Sequence, residues 1–207
     1  MNVFEFMINR REALWHLTVE HFNLVLLAVL IAVVLGIIIG ILITYNHTAS
    51  VVALTICQVL MTVPSMAMLG FLLPFFGIGF RTGMIALILY SLLPIVRNTY
   101  TGIREIPHSI LESAYGMGMT PWHVLLRIQI PLAMPVVMAG IRTATVMVIG
   151  IAAIASYIGA GGLGELIFHG ISRTQPYRIL AGAILISTMA VLADLILGWA
   201  EERLMVR

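Results

Sequence analysis

The chain has 207 residues, 61% hydrophobic and only 10% charged, with a formal charge of +2 and a mean hydropathy of +1.08. A soluble domain carries about 25% charged residues, so this composition excludes a water-soluble globule and makes the lipid bilayer its solvent. All eleven basic residues are arginines without a polybasic run, which excludes a nucleic-acid-binding tail.

Residues 1–18 set Arg10, Arg11 and Glu12 among apolar positions and read as a short amphipathic helix at an interface. They lack a basic n-region before an apolar core and do not read as a cleaved signal peptide. From His21 to Phe80 there is no Asp, Glu, Lys or Arg. At about 20 residues per crossing, this stretch holds two spans, 22–44 and 51–74, with Tyr45–Ser50 as the polar turn. Pro64 falls inside the second and predicts a kink, which membrane helices tolerate when neighbours satisfy the freed carbonyl. Cys57 lies in the same run as a packed side chain, and a single cysteine excludes an intrachain disulfide. Phe75–Gly79 is a short loop. The third span is 82–99, the fourth 132–157 and the fifth 177–199, with Trp199 as an interfacial anchor. No repeat or linker divides the chain. It is one all-α integral membrane domain over 1–207, with five transmembrane helices.

The polar interruption at 104–130 carries the sharpest pattern. Pro107 and Pro121 suit helix starts, Ser109 or Thr120 suits a cap, and Gly118 suits a turn with positive φ. Glu112-Ser113-Ala114, then Gly118, then Ile128-Gln129-Ile130-Pro131 resembles the E-A-A…G…I-x-L-P signature of permease subunits in binding-protein-dependent ABC importers. Ser113 stands for the first alanine and Ile130 for the leucine. The resemblance implies the type I permease fold. It implies that 104–130 forms two short cytoplasmic helices that dock on an ABC ATPase through Glu112, Ala114, Gly118, Ile128 and Pro131. Trp122 falls in the same segment as an ATPase contact. The implied partners are the ATPase, an extracytoplasmic solute-binding protein, a second permease subunit (identical or related) and the lipid bilayer, with no nucleic acid. The implied location is the bacterial cytoplasmic membrane.

Thr62-Val63-Pro64-Ser65, Gly70-Phe71-Leu72-Leu73-Pro74, Leu92–Ile103, Met138–Ala144 and Ile158–Gly164 resemble runs of glycine betaine, carnitine and choline permeases. The resemblance spans roughly residues 55–170 and implies import of a quaternary-amine compatible solute. A permease for methionine or another amino acid is the alternative within the class. With 104–130 inside, five spans place the N-terminus outside and the C-terminus inside. Arg97, Arg104, Arg127, Arg142, Arg203 and Arg207 then lie near the inner face, and Arg10, Arg11, Arg81, Arg173 and Arg178 near the outer. That split barely invokes the positive-inside rule, so the orientation rests on the resemblance.

Gly159–Gly164 satisfies G-x-G-x-x-G, but a span precedes it and no β-rich segment surrounds it, so nucleotide binding is rejected. It is either an outer-face gate or a plain turn. Arg142 lies within the fourth span and Asp194 near the inner end of the fifth. Ionisable residues at such depth are costly and mark either a structural pair or a transport path. Quaternary ammonium groups are often held by aromatic cages. No cage is visible, although Tyr90 and Tyr157 are available to a path. The six His are scattered, and no metal-ligand spacing, Walker lysine motif or nucleophile elbow occurs. The chain reads as a transport subunit without cofactor or catalytic site, with ATP hydrolysis on a partner.

Overall fold

The computed structural model describes residues 2–205. Met1 and residues 206–207, including the Arg207 assigned to the inner face, lie outside them. Asn2 caps α1 (Val3–Asn9), and its N–H donates back to the Glu5 carboxylate at 3.3 Å. The chain turns at Arg10 directly into α2 (Arg11–Thr44). The separate N-terminal helix is therefore shorter than expected from 1–18, because residues 11–18 are the first turns of the spanning helix. At 1.5 Å per residue, α2 is about 51 Å long, against a hydrocarbon core of about 30 Å. Its polar start extends beyond the membrane.

The expected turn at Tyr45–Ser50 shrinks to Tyr45–Asn46. The Asn46 side chain accepts the Ala49 N–H at 3.1 Å and starts α3 (His47–Thr62) at once. The expected single span at 51–74 is not one kinked helix. It breaks at Val63-Pro64 into α3 and α4 (Ser65–Phe76), whose axes meet at 102°. Pro64 supplies no N–H and forces the preceding residue out of the helical region, and Val63 accordingly sits at ψ 128°. The Val63 carbonyl is recovered by the Tyr90 hydroxyl, which donates to it at 2.6 Å from a ring only 3% exposed. Tyr90→Phe is expected to cost about 1 kcal/mol and to loosen this elbow. The midpoint of thermal unfolding in detergent and proteolysis near residue 63 check it.

After Gly77 and Gly79, both at positive φ, α5 (Phe80–Arg104) forms the centre of the bundle. The turn holds the loop through the Thr82 hydroxyl, which donates to the Gly77 carbonyl. Ala28, Ala32, Gly36 and Gly40 recur every four residues on the buried face of α2. They let α5 approach closely, as small residues do between membrane helices. A Cβ on Gly36 would lie 2.6 Å from the Ile95 side chain, and one on Gly40 would lie 2.5 Å from that of Thr99. These two contacts also show that α2 and α5 run in the same direction. The intervening α3–α4 pair therefore crosses the membrane as a broken span and does not return to its starting face.

Two short helices, α6 (His108–Gly116) and α7 (Pro121–Val124), follow on the face where α2 ends. α7 does not stand alone as the second docking helix. Leu125–Gln129 makes a π-helical turn that carries it into α8 (Ile130–Ala155). The physical cause is Pro131, whose ring would press on the carbonyl four residues earlier in a regular α-helix. A wider turn relieves that contact, with the Ile130 N–H donating to the Leu125 carbonyl. α8 packs antiparallel on α5, with Gly140 against Asn98 and Pro94. A 3-10 turn (Ser156–Ile158), the unforeseen α9 (Gly164–Ser172) and α10 (Pro176–Met205) complete the chain. The main core joins α2, α4, α5 and α8 through Leu24, Ala28, Leu69, Leu87, Val148 and Ile149. Among the described residues four helices are long and apolar enough to cross a membrane, and the broken pair makes five crossings.

Candidate functional site

Three sites follow from this architecture. The first is the polar turn between α5 and α8. Pro107 caps α6 from outside without a side-chain bond, and Ser109 lies within the helix and caps nothing. Thr120 is the cap of α7, accepting the His123 N–H at 3.4 Å, with Pro121 in the first turn. Gly118 joins the helices at φ 82°, in the left-handed region that favours glycine, and a Cβ there would meet nothing within 4 Å. Glu112 is not at a helix terminus. It is exposed on α6 and takes His108 Nδ1 at 3.2 Å, one turn earlier. Ala114 is fully buried. With Ile128 it lines one hollow of about 330 Å³ between α6 and the π turn. Pro131 lies exposed at the head of α8, and Trp122 projects from α7 at 64% exposure. The segment is thus a short helical arm, its second half continuous with a transmembrane helix.

The second site joins α8 and α10. Arg142 Nε donates to Asp194 Oδ1 at 2.6 Å and Nη2 donates to Oδ2 at 2.8 Å, a two-pronged pair. Nη1 donates to Glu201 Oε2 at 3.2 Å, an acid that the sequence reading passed over. Seven residues separate Asp194 from Glu201. This is close to two helical turns, so that spacing was the available signal. The guanidinium lies over Gly198, where a Cβ would come 3.0 Å from Cζ. The side chains are 36%, 39% and 15% exposed for Arg142, Asp194 and Glu201, and all three line an open concavity of about 590 Å³. Further along α10, Arg203 stacks its guanidinium 4.4 Å above the exposed Trp199 ring.

The third site is at the opposite end of the bundle. Gly159, Gly161 and Gly162 have φ of 76°, 83° and 91°, which explains the glycine-rich run. The Ser156 hydroxyl donates to the Gly161 carbonyl at 2.6 Å, and the Gly162 N–H donates to Glu20 Oε2 at 3.3 Å. Beside them His21 is fully buried, with Nε2 at 3.1 Å from the Ile149 carbonyl oxygen. The loop is pinned to α2 between helical elements, with no strand among the described residues. Tyr90 is committed to the helix break, and Tyr157 packs at a tilt against Phe168 with 5.0 Å between centroids. Among the described residues no group of three metal-ligating side chains converges.

A five-crossing helical bundle with a helical polar arm before its fourth span defines a multi-pass integral membrane protein. The chain belongs to the binding-protein-dependent transport system inner membrane component family, whose model matches residues 23–206. It is an inner-membrane permease subunit of an ABC importer, a non-catalytic component working with an ATPase, a solute-binding protein and a second permease subunit. It is 51% identical over 150 residues to the carnitine transport permease protein OpuCD of Listeria monocytogenes, covering 72% of this chain and 67% of that one. It is 40% identical over 203 residues to the choline transport system permease protein OpuBB of Bacillus subtilis, covering 98% and 94%. It is 41% identical over 211 residues to the osmoprotectant import permease protein OsmW of Salmonella typhimurium, covering 100% and 96%. Among solved structures, a chain of the MetNI methionine ABC transporter superposes with a TM-score of 0.80 at 19% identity, covering 92% and 95%. An amino acid ABC transporter with histidines gives 0.77 at 23%, covering 97% and 98%. At those identities the likeness is one of fold.

Proposed function

We propose that this permease imports a quaternary-amine compatible solute of the glycine betaine, carnitine or choline type, and that residues 104–130 dock on the ATPase from the cytoplasmic side. The observation that carries the coupling role is the arm itself. α6 and α7 are held by the Gly118 turn, and α7 runs without interruption into α8. A push on the arm is delivered to a transmembrane helix as a rigid displacement. With the arm on the cytoplasmic side, α1 and the glycine loop belong to the outer side, where the binding protein delivers solute. The solute class is supported by the 51% and 40% identities to the carnitine and choline permeases. The amino-acid alternative has support only from fold neighbours at 19% and 23% identity.

Reconstitution with the cognate ATPase and binding protein tests the solute. ATP-driven uptake of labelled betaine, carnitine or choline is expected, and uptake of methionine alone would overturn the reading. The orientation has its own check. In a Cys57→Ser background, Tyr115→Cys on α6 is expected to react with an impermeant thiol reagent only from the cytoplasmic side. Labelling of intact cells from outside would reverse the topology.

A further inference from the structure

We propose that the concavity between α8 and α10 is a binding station, at the inner end of the spans, for the quaternary ammonium group of the solute. This rests on the solute class proposed above. The lipid-facing character of the chain is plain on α2, which exposes Phe22, Leu26, Leu30, Val34, Ile38 and Leu42. The open face of α8 is different: beyond Pro131 and Leu132 at its head it exposes Thr143 and Gly150, although α10 still presents Val191, Leu192, Leu195 and Ile196 outward. Arg142, Asp194 and Glu201 open onto the same side. Charged side chains at membrane depth pair with one another and face a bundle interior or a water-filled cavity. These three are paired and line one concavity, so the concavity itself, and not the apolar α10 surface beside it, is assigned to an aqueous route.

The charge balance then points to an occupant. One guanidinium faces two carboxylates, which leaves the cluster one negative charge in excess. Three of the five guanidinium N–H groups are used. Ala139, Val146 and Met147 supply the apolar wall beside the carboxylates. A quaternary ammonium ion has no N–H to donate. It needs a diffuse negative field and a surface for its methyl groups, and this concavity offers both without an aromatic cage. Its volume of about 590 Å³ lies within the roughly 300–1,000 Å³ typical of small-molecule sites. A zwitterionic solute can place its carboxylate on the remaining arginine N–H groups, and a cationic one takes up the excess charge.

The test uses the intact permease–ATPase complex without binding protein, in a Cys57→Ser background. Thr143→Cys reports on the concavity through its rate of reaction with a small methanethiosulfonate reagent. Choline is expected to slow that reaction about fivefold or more, and sodium chloride at the same ionic strength is expected to leave it unchanged. Adding Glu201→Gln removes the excess charge and is expected to abolish protection by choline while weakening that by glycine betaine less. Glu201→Asp is expected to restore it. The labelling rate of each variant without solute confirms that the concavity is still formed. Equal labelling with and without both amines, or choline protection that survives Glu201→Gln undiminished, overturns the proposal. Because no transport is measured, these outcomes are distinct from failure of the proposed uptake.

Discussion

Gly118→Asp is expected to leave the permease inserted in the membrane and to abolish coupled uptake. Aspartate is one of the few non-glycine residues that visits positive φ with some frequency. The backbone at φ 82° can therefore keep its turn, and a Cβ there has open space. The cost within this chain is about 1 kcal/mol, too small to unfold the bundle. The new carboxylate is instead presented on the exposed arm beside Met117 and Trp122, which are 74% and 64% exposed. An apolar docking surface would have to desolvate it. Solute-stimulated ATPase activity and uptake should both fall to near background, while yield in detergent stays near that of the parent. Gly118→Ala adds bulk without charge and should show a smaller loss. Parental uptake in the aspartate variant would remove the docking role from this turn.

The arm was legible because its punctuation is local. Gly118, Thr120 and Pro121 each dictate a backbone state at their own position, and the structure uses all three. The spans were legible because uninterrupted apolar length is a property of a single segment. What stayed hidden depends on contacts distant in sequence or on packing. Pro64 announced a disturbance, but the 102° angle needs the Tyr90 hydroxyl, 26 residues further on, to accept the consequences. The merging of α7 with α8 turned on one ring at Pro131, which reads equally well as a helix start. The ladder of Ala28, Ala32, Gly36 and Gly40 was present in the sequence, yet so apolar a helix gave no reason to choose one face until Ile95 and Thr99 were placed against it. The bonds between the Glu20 carboxylate and Gly162 of the glycine loop, and between the His21 ring and Ile149 of α8, join positions more than 120 residues apart, with no local sign.

Arg142→Met is expected to be the most damaging single change in the α8–α10 cluster. It leaves Asp194 and Glu201 without a cation at membrane depth, where an unpaired charge is expensive. Asp194→Asn should do less harm, because Arg142 keeps Glu201 at 3.2 Å. The triple variant Arg142→Met, Asp194→Asn, Glu201→Gln should recover part of the folded yield lost by Arg142→Met alone, since no stranded charge remains. Non-additivity of this sign is the mark of residues that interact directly. Size-exclusion profiles and thermal midpoints of the purified subunit order the variants. Full additivity, with the triple variant worse than Arg142→Met, would mean that the three groups act independently. Recovered folding without recovered uptake would separate the two duties of the cluster. Holding α10 against α8 needs only that no charge be stranded. The proposed engagement of solute needs the charges themselves.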